Sequence, residues 1–110
     1  MIGEAELKLI RDGAMLINTA RGDLIDQDAL IRELAKGRFC AGLDVFAEEP
    51  LPLDSELRKM DNVMIRPHLA GVNPQSRRRI GRLMVEEMHR FYEGRPLRFE
   101  VKKEQLKNMT

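Results

Sequence analysis

The amino-acid sequence predicts an α/β fold in which a parallel sheet carries helices on its faces. Three successive units support this prediction, because each consists of a helical stretch, a glycine and a short apolar run. Strands that are separated by helix-length segments normally pair in parallel, with right-handed crossovers. The 110 residues fit one small domain that has one hydrophobic core.

The first two helices are predicted from their apolar spacing and their ends. Residues 4–12 form the first helix, and Gly13 follows it as a stop signal. Asp26 is placed to cap the second helix, residues 27–36, whose apolar residues fall on one face. Between the two helices, residues 14–17 are a continuous apolar run, as expected of a strand that is buried on both faces.

Two further strands are predicted in the middle of the chain. Residues 39–46 form one of them, and Gly42 within it marks a close approach of another backbone or a ligand. Residues 62–65 form the other strand, which Pro67 stops, and residues 54–59 are predicted to form a short helix between the two.

A long helix is predicted towards the end of the chain. Asn73 is a favourable cap and Pro74 suits the first turn. The helix continues to about Tyr92, and Gly94 ends it. Residues 97–101 are predicted to form one more strand. The apolar stripe of the helix consists of Ile80, Leu83, Met84, Met88 and Phe91.

The composition argues against several classes of function. A net charge of +1, from 19 basic and 18 acidic residues, gives no bulk attraction to nucleic acids or membranes. No apolar run approaches the ~20 residues that span a bilayer, and no signal peptide is visible. The single cysteine, Cys40, cannot form an internal disulfide, which favours a reducing compartment such as the cytoplasm.

Candidate functional side chains lie in the three loops that leave the carboxyl ends of the predicted strands, at residues 18–22, 44–50 and 66–71. In a parallel sheet such loops share one rim, where ligands bind. Taken singly, each side chain favours a structural interpretation. Arg21 is then a surface arginine, His68 a structural histidine, and Glu48 and Glu49 are solvated loop acids. Asp44 closes an apolar strand and needs a partner, because burying an unpaired charge is costly.

Taken together, these side chains are suited to proton transfer on an acid substrate. A carboxylate of the second loop, from Asp44, Glu48 or Glu49, can orient the imidazole of His68 and stabilise its charged form. Arg21 presents a planar fork that matches a substrate carboxylate. Interconversion of a 2-hydroxy acid and a 2-keto acid needs such groups, and it also needs a hydride carrier that no side chain provides.

Three blocks of sequence resemble the D-isomer-specific 2-hydroxyacid dehydrogenases in order and spacing. They are N-T-A-R-G at 18–22, G-L-D-V-F-A-E-E-P-L at 42–51 and P-H-L-A-G at 67–71. The resemblance covers roughly residues 1–100. It implies a partial Rossmann-like, doubly wound parallel sheet, the C-terminal half of a dinucleotide-binding domain, plus a long C-terminal helix. The implied activity is hydride transfer between NAD or NADP and a small 2-keto or 2-hydroxy acid.

The resemblance also implies a role for each candidate residue. Arg21 would bind the substrate carboxylate, His68 would be the acid/base, and Glu49 would be its carboxylate partner. Asp44 would contact the nicotinamide carboxamide. Formate dehydrogenases of the same fold carry glutamine at the position of Glu49, so the glutamate favours a hydroxy acid, and no metal is implied. The residues implied to line the nicotinamide half are Thr19, Ala20, Arg21, Asp44, His68, Ala70 and Gly71.

Other features of the family have no counterpart in this sequence. It contains no G-x-G-x-x-G loop for the cofactor pyrophosphate and no residues that separate NAD from NADP. We therefore expect residues 1–94 to be the C-terminal part of an NAD(P)-binding catalytic domain, and residues 95–110 to be a strand and tail that return to a missing substrate domain. We also expect Met1 to be an internal methionine, and the isolated chain to be inactive. Arg66 stands where the family usually has threonine or serine, and whether it favours an acidic substrate stays open.

Self-association and nucleic-acid binding are two alternatives to an enzyme. The strand at 14–17 should border a missing strand, and an open apolar edge would make the chain a non-catalytic fragment that self-associates as a homo-oligomer. Nucleic-acid binding through the three arginines at 77–79 is disfavoured, because Glu86 and Glu87 balance their helix and few aromatic residues are available for stacking.

Overall fold

The computed structural model describes residues 1–108, which form two compact units divided between Gly71 and Val72. The first unit contains a three-stranded parallel sheet in the order β1-β2-β3, which confirms the predicted α/β fold. Its helices and strands are α1 (Glu4–Lys8), β1 (Met15–Asn18), α2 (Gln27–Leu34), β2 (Cys40–Leu43) and β3 (Val63–Ile65). Short 3₁₀ helices span Gly22–Leu24 and Glu56–Lys59.

The two helices of the first unit are shorter than their apolar patterns predict. In α1 the N–H of Leu9 donates to Glu6 and the N–H of Ile10 donates to Leu7, each three residues back. The end of α2 tightens in the same way before Gly37, whose φ is +69°. The cap of α2 is as predicted, since the Oδ1 atom of Asp26 accepts from the N–H three residues on at 2.9 Å.

One face of the sheet carries the core of the first unit. Leu7 of α1 and three residues of α2 pack with Ala41 and Leu43, the residues of β2 that point to that face. The buried apolar residues of this cluster are Leu7, Ile25, Ala29, Leu30, Leu34, Phe39, Ala41, Leu43, Phe46, Leu51 and Leu57. Phe39 is the largest of the fully buried side chains.

The opposite face of the sheet is exposed in the first unit. Met15 and Ile17 of β1 are 67% and 64% exposed, and Met64 of β3 is 69% exposed. The prediction of a first strand buried on both faces is therefore wrong. The apolar run correctly predicted a strand, but burial of the strand's second face depends on which element packs against that face. Both α1 and α2 contribute to the core on the first face.

The second unit consists mainly of α3 (Pro74–Tyr92), as predicted. The Oδ1 atom of Asn73 accepts from the N–H of Ser76 at 2.8 Å, and Gly94 follows the helix with a φ of +67°. Within residues 1–108, no helix is long and apolar enough to cross a lipid bilayer. The predicted stripe residues Ile80, Met84, Met88 and Phe91 are all more than half exposed.

The strand predicted at residues 97–101 does not form. The backbone N–H groups of Arg98 and Phe99 donate instead to the Oε2 atom of Glu87, at 2.8 and 3.1 Å. A side chain of α3 thus takes the place of a neighbouring strand as hydrogen-bond acceptor for this segment. A 3₁₀ helix, Lys103–Asn108, follows it.

Candidate active site

The three loops at the carboxyl ends of the strands meet at one rim, as predicted. The last residues of β1, β2 and β3 are aligned, because Asn18 pairs with Leu43 and Leu43 pairs with Ile65. Backbone hydrogen bonds continue past the strands, from the N–H of Asp44 to Asn18 at 3.0 Å and from the N–H of His68 to Asp44 at 2.8 Å. Segments that are distant in sequence are therefore held side by side by the sheet itself.

The side chains of His68 and Glu49 are in direct contact at this rim. The Nδ1 atom of His68 lies 2.7 Å from the Oε2 atom of Glu49, whose Oε1 atom accepts from the N–H of Phe46 at 3.0 Å. The hydrogen bond from His68, and then that from Phe46, hold the pKa of Glu49 below the usual range of a glutamate. An ionised carboxylate only accepts hydrogen bonds, so Nδ1 carries the proton and Nε2 is the nitrogen that remains for a substrate.

Asp44 orders the backbone that follows the histidine. Its carboxylate is buried, and its two oxygens accept from the N–H groups of Leu69 and Ala70, each at 2.8 Å. Burial would raise the pKa of Asp44, but the hydrogen bonds from Ala70 and Leu69 outweigh it, so the pKa lies below the usual range. The contact that the resemblance implies between Asp44 and a nicotinamide carboxamide stays a prediction.

A turn built on Asn18 positions Arg21. The Oδ1 atom of Asn18 accepts from the N–H of Ala20 at 3.1 Å, and its Nδ2 atom donates to the carbonyl of Arg21 at 2.9 Å. The side chain of Arg21 is exposed, and its positive charge is one of the causes that lower the pKa of Glu49. This role of Asn18 was not among the predictions from the sequence, although an asparagine at the end of a strand is a known signal for a turn of this kind.

Gly22 joins the first loop to the second. A Cβ atom at this position would lie 2.0 Å from the carbonyl carbon and oxygen of Phe46 and 2.6 Å from the N–H nitrogen of Ala47. The close approach that was predicted at Gly42 is therefore found at Gly22. A Cβ on Gly42 would meet only the side chain of Ile17, at an ordinary contact distance of 3.8 Å.

A cavity of about 500 Å³ opens beside the histidine and glutamate. Its lining residues are Phe46, Glu49, Pro50, Leu51, Arg58, Ile65, Arg66, Pro67 and His68. Within residues 1–108, no cluster of three or more His, Cys, Asp or Glu side chains is placed to hold a metal ion. Glu48, the third acid considered for the second loop, is exposed.

A family model covers most of the first unit. Residues 1–70 match the D-isomer specific 2-hydroxyacid dehydrogenase, NAD binding domain. The chain belongs to the D-isomer-specific 2-hydroxyacid dehydrogenase family. A glyoxylate reductase of Korarchaeum cryptofilum is a relative, with 41% identity over 95 residues. These residues are 86% of this chain and 29% of that protein.

Solved structures of this dehydrogenase family share the fold. A D-isomer specific 2-hydroxyacid dehydrogenase from Xanthobacter autotrophicus Py2, in complex with NADPH and MES, is 39% identical with a TM-score of 0.74, over 93% of this chain and 42% of that one. D-lactate dehydrogenase with NAD+ from Lactobacillus jensenii is 29% identical with a TM-score of 0.82, over 94% and 35%. The chain thus spans roughly a third of the length of the dehydrogenases that it matches.

The binding of the nicotinamide end of a dinucleotide at this rim stays a prediction. Thr19, Ala20, Ala70 and Gly71 are all exposed there, and three of them have little or no side chain. These are the residues that the resemblance implied for the nicotinamide half, and the hydrogen bonds of Asp44 keep one of the two segments ordered.

Proposed function

We propose that the protein to which this chain belongs is an NAD(P)-dependent oxidoreductase that interconverts small 2-keto and D-2-hydroxy acids. The hydrogen bond of 2.7 Å between His68 and Glu49 at the rim carries this proposal. A histidine that is oriented by a carboxylate is suited to the acid/base role that such a reaction requires. The family match of residues 1–70 supports it.

In the direction of reduction, His68 would donate the proton on Nε2 to the keto oxygen. The Nδ1 proton stays in the hydrogen bond to Glu49, which keeps the ring oriented during the transfer. Arg21 would bind the substrate carboxylate through its planar fork and so orient the carbonyl. The nicotinamide, when it is bound, supplies the hydride to C2.

Asp44 and the exposed backbone at Thr19, Ala20, Ala70 and Gly71 would position the nicotinamide end. The relatives do not favour one nucleotide, because one similar structure contains NADPH and another contains NAD+. Because the sequence contains no G-x-G-x-x-G loop, we expect the 110-residue chain by itself to be inactive. The single free cysteine supports a reducing, cytoplasmic location.

The function is tested on the full-length protein with His68→Asn, and His89→Asn is the matched control. His89 is the only other histidine of the chain and is exposed on α3. Oxidation of NADH and NADPH with glyoxylate, pyruvate and hydroxypyruvate is followed by absorbance. Loss of the acid/base should lower kcat about 10²- to 10⁴-fold, whereas His89→Asn should keep the activity. Equal activity of the two variants would refute the assignment of His68.

Self-association of the chain is the second candidate function, and the exposed residues of β1 favour it. β1 is an edge strand of the described sheet, and Met15 and Ile17 are 67% and 64% exposed. We expect a dimer or higher oligomer by light scattering, weakened by Ile17→Lys. A monomer at high protein concentration would count against this candidate.

A further inference from the structure

The cavity beside the active-site pair carries an unbalanced charge. Both oxygens of Glu49 are engaged, one with His68 and one with the N–H of Phe46. Two guanidinium groups also line the cavity, those of Arg58 and Arg66. Among the lining residues that the structure describes, the two arginines therefore outnumber the single carboxylate, that of Glu49.

Arg58 is held in place without being neutralised. Its Nε atom donates to the carbonyl of Pro52 at 2.8 Å, and one terminal nitrogen donates to the carbonyl of Leu51 at 2.6 Å. These acceptors are uncharged, so they fix the guanidinium but leave its full positive charge. Arg58 can thus act as a stationary charge at the wall of the cavity.

Arg66 is available to a ligand. Its backbone is fixed, because its N–H donates to the carbonyl of Leu43 at 2.8 Å, directly after β3. Its guanidinium has neither a hydrogen-bond nor an ion-pair partner within residues 1–108. Its charge nevertheless acts on the rim, since it contributes to the lowered pKa of Asp44.

We propose that this cavity binds an oxyanion, with the guanidinium of Arg66 donating to the ligand and Arg58 adding charge from a fixed position. Phe46, Leu51 and Ile65 form apolar walls of the same cavity. The consequence for catalysis rests on the proposed function: the preferred substrate is a 2-keto acid that carries a second carboxylate or a phosphate. Alternatively, the bound oxyanion is a free anion that binds beside His68 and Glu49 and is not part of the substrate.

Binding is tested without any turnover. Inorganic phosphate is titrated into the chain while the ring protons of its two histidines are followed by NMR. The His68 signals should move and saturate, and the His89 signals should stay in place. Arg66→Gln should weaken binding at least about tenfold, Arg66→Lys should restore part of it, and Arg77→Gln on α3 should change nothing. Unchanged affinity in Arg66→Gln, or equal movement of both histidines, would overturn the proposal.

Kinetics on the full-length protein distinguish an oxyanion that is part of the substrate from a free oxyanion. Oxaloacetate and 2-oxobutyrate have the same carbon chain, but only oxaloacetate has a second carboxylate. If the substrate supplies the oxyanion, Arg66→Gln should reduce the ratio of their kcat/KM values about tenfold. If the ratio is unchanged while phosphate binding is weakened, the cavity binds a free oxyanion. Lack of turnover with either acid would refute the proposed function and leave the phosphate titration to decide on the cavity.

Discussion

Replacing Gly22 by alanine should break the junction between the loop that carries Arg21 and the loop that carries Glu49. The new Cβ atom would lie 2.0 Å from the carbonyl carbon and oxygen of Phe46, whereas ordinary contacts begin at 3.4 Å. The two loops must therefore separate by more than an ångström. The obstructing atoms are backbone, so a change of side-chain rotamer cannot relieve the overlap.

The expected cost is large for the addition of a single methyl group. Overpacking of a rigid site costs about 1–3 kcal/mol, and an overlap of this size with backbone should reach or exceed about 3 kcal/mol of unfolding free energy. Urea denaturation followed by circular dichroism measures this change. Gly81→Ala is the matched control, because a Cβ there meets nothing within 4 Å and the position is inside α3. It should be neutral or stabilise the chain by about 0.5–1 kcal/mol.

The same two variants test the active site separately from stability. In full-length protein at a temperature where it stays folded, Gly22→Ala should lower kcat/KM, because the arginine and the glutamate move apart, and Gly81→Ala should not. Two results would refute the reasoning. One is a Gly22→Ala chain as stable as the Gly81→Ala chain, and the other is a crystal structure of Gly22→Ala with the loops unmoved.

Two further predictions concern the loop after β3 and the start of α3. The pKa of Asp44 is lowered, so its stabilisation is present above the pKa of an unfolded aspartate and is lost as the pH falls through the folded value. The amide signals of Leu69 and Ala70 should therefore shift together below about pH 4, and signals that stay constant down to the acid unfolding of the chain would contradict this. Asn73→Ala should destabilise the first turn of α3 by about 1 kcal/mol, seen as faster hydrogen exchange at Ser76, and Asn73→Ser should restore protection.

The sequence predicted the fold where local signals and long-range pairing agree. Asp26 and Asn73 identify helix starts because a cap needs only a side chain and the backbone three residues on. The strand at 97–101 was wrong because an apolar run does not show which acceptor its backbone will find, and here Glu87 provides it. In the same way, the apolar run that contains Ile17 did not show that this side chain would be exposed.

For the candidate site, sequence motifs predicted which residues meet but not what holds them. The order of the loops placed His68 on one rim with the acids of the second loop, since parallel strands bring their carboxyl ends together. The family resemblance then singled out Glu49 among those acids. The turn at Asn18 is local and its asparagine is a recognisable signal, because its hydrogen bonds reach only to Ala20 and Arg21. The need for Gly22 could not be predicted in this way, since it depends on the distance to the backbone of Phe46 and Ala47.

The backbone of His68 shows why Asp44 matters even before any cofactor binds. The φ angle of His68 is +54°, in the left-handed region that costs a residue with a side chain about 1 kcal/mol or more. Three hydrogen bonds compensate for this strain, one from the N–H of His68 to the carbonyl of Asp44 and two from Leu69 and Ala70 to its carboxylate. Asp44 therefore stabilises the backbone conformation in which the imidazole is observed 2.7 Å from Glu49. The acid/base geometry is thus fixed from two sides, by Glu49 on the ring and by Asp44 on the chain that carries it.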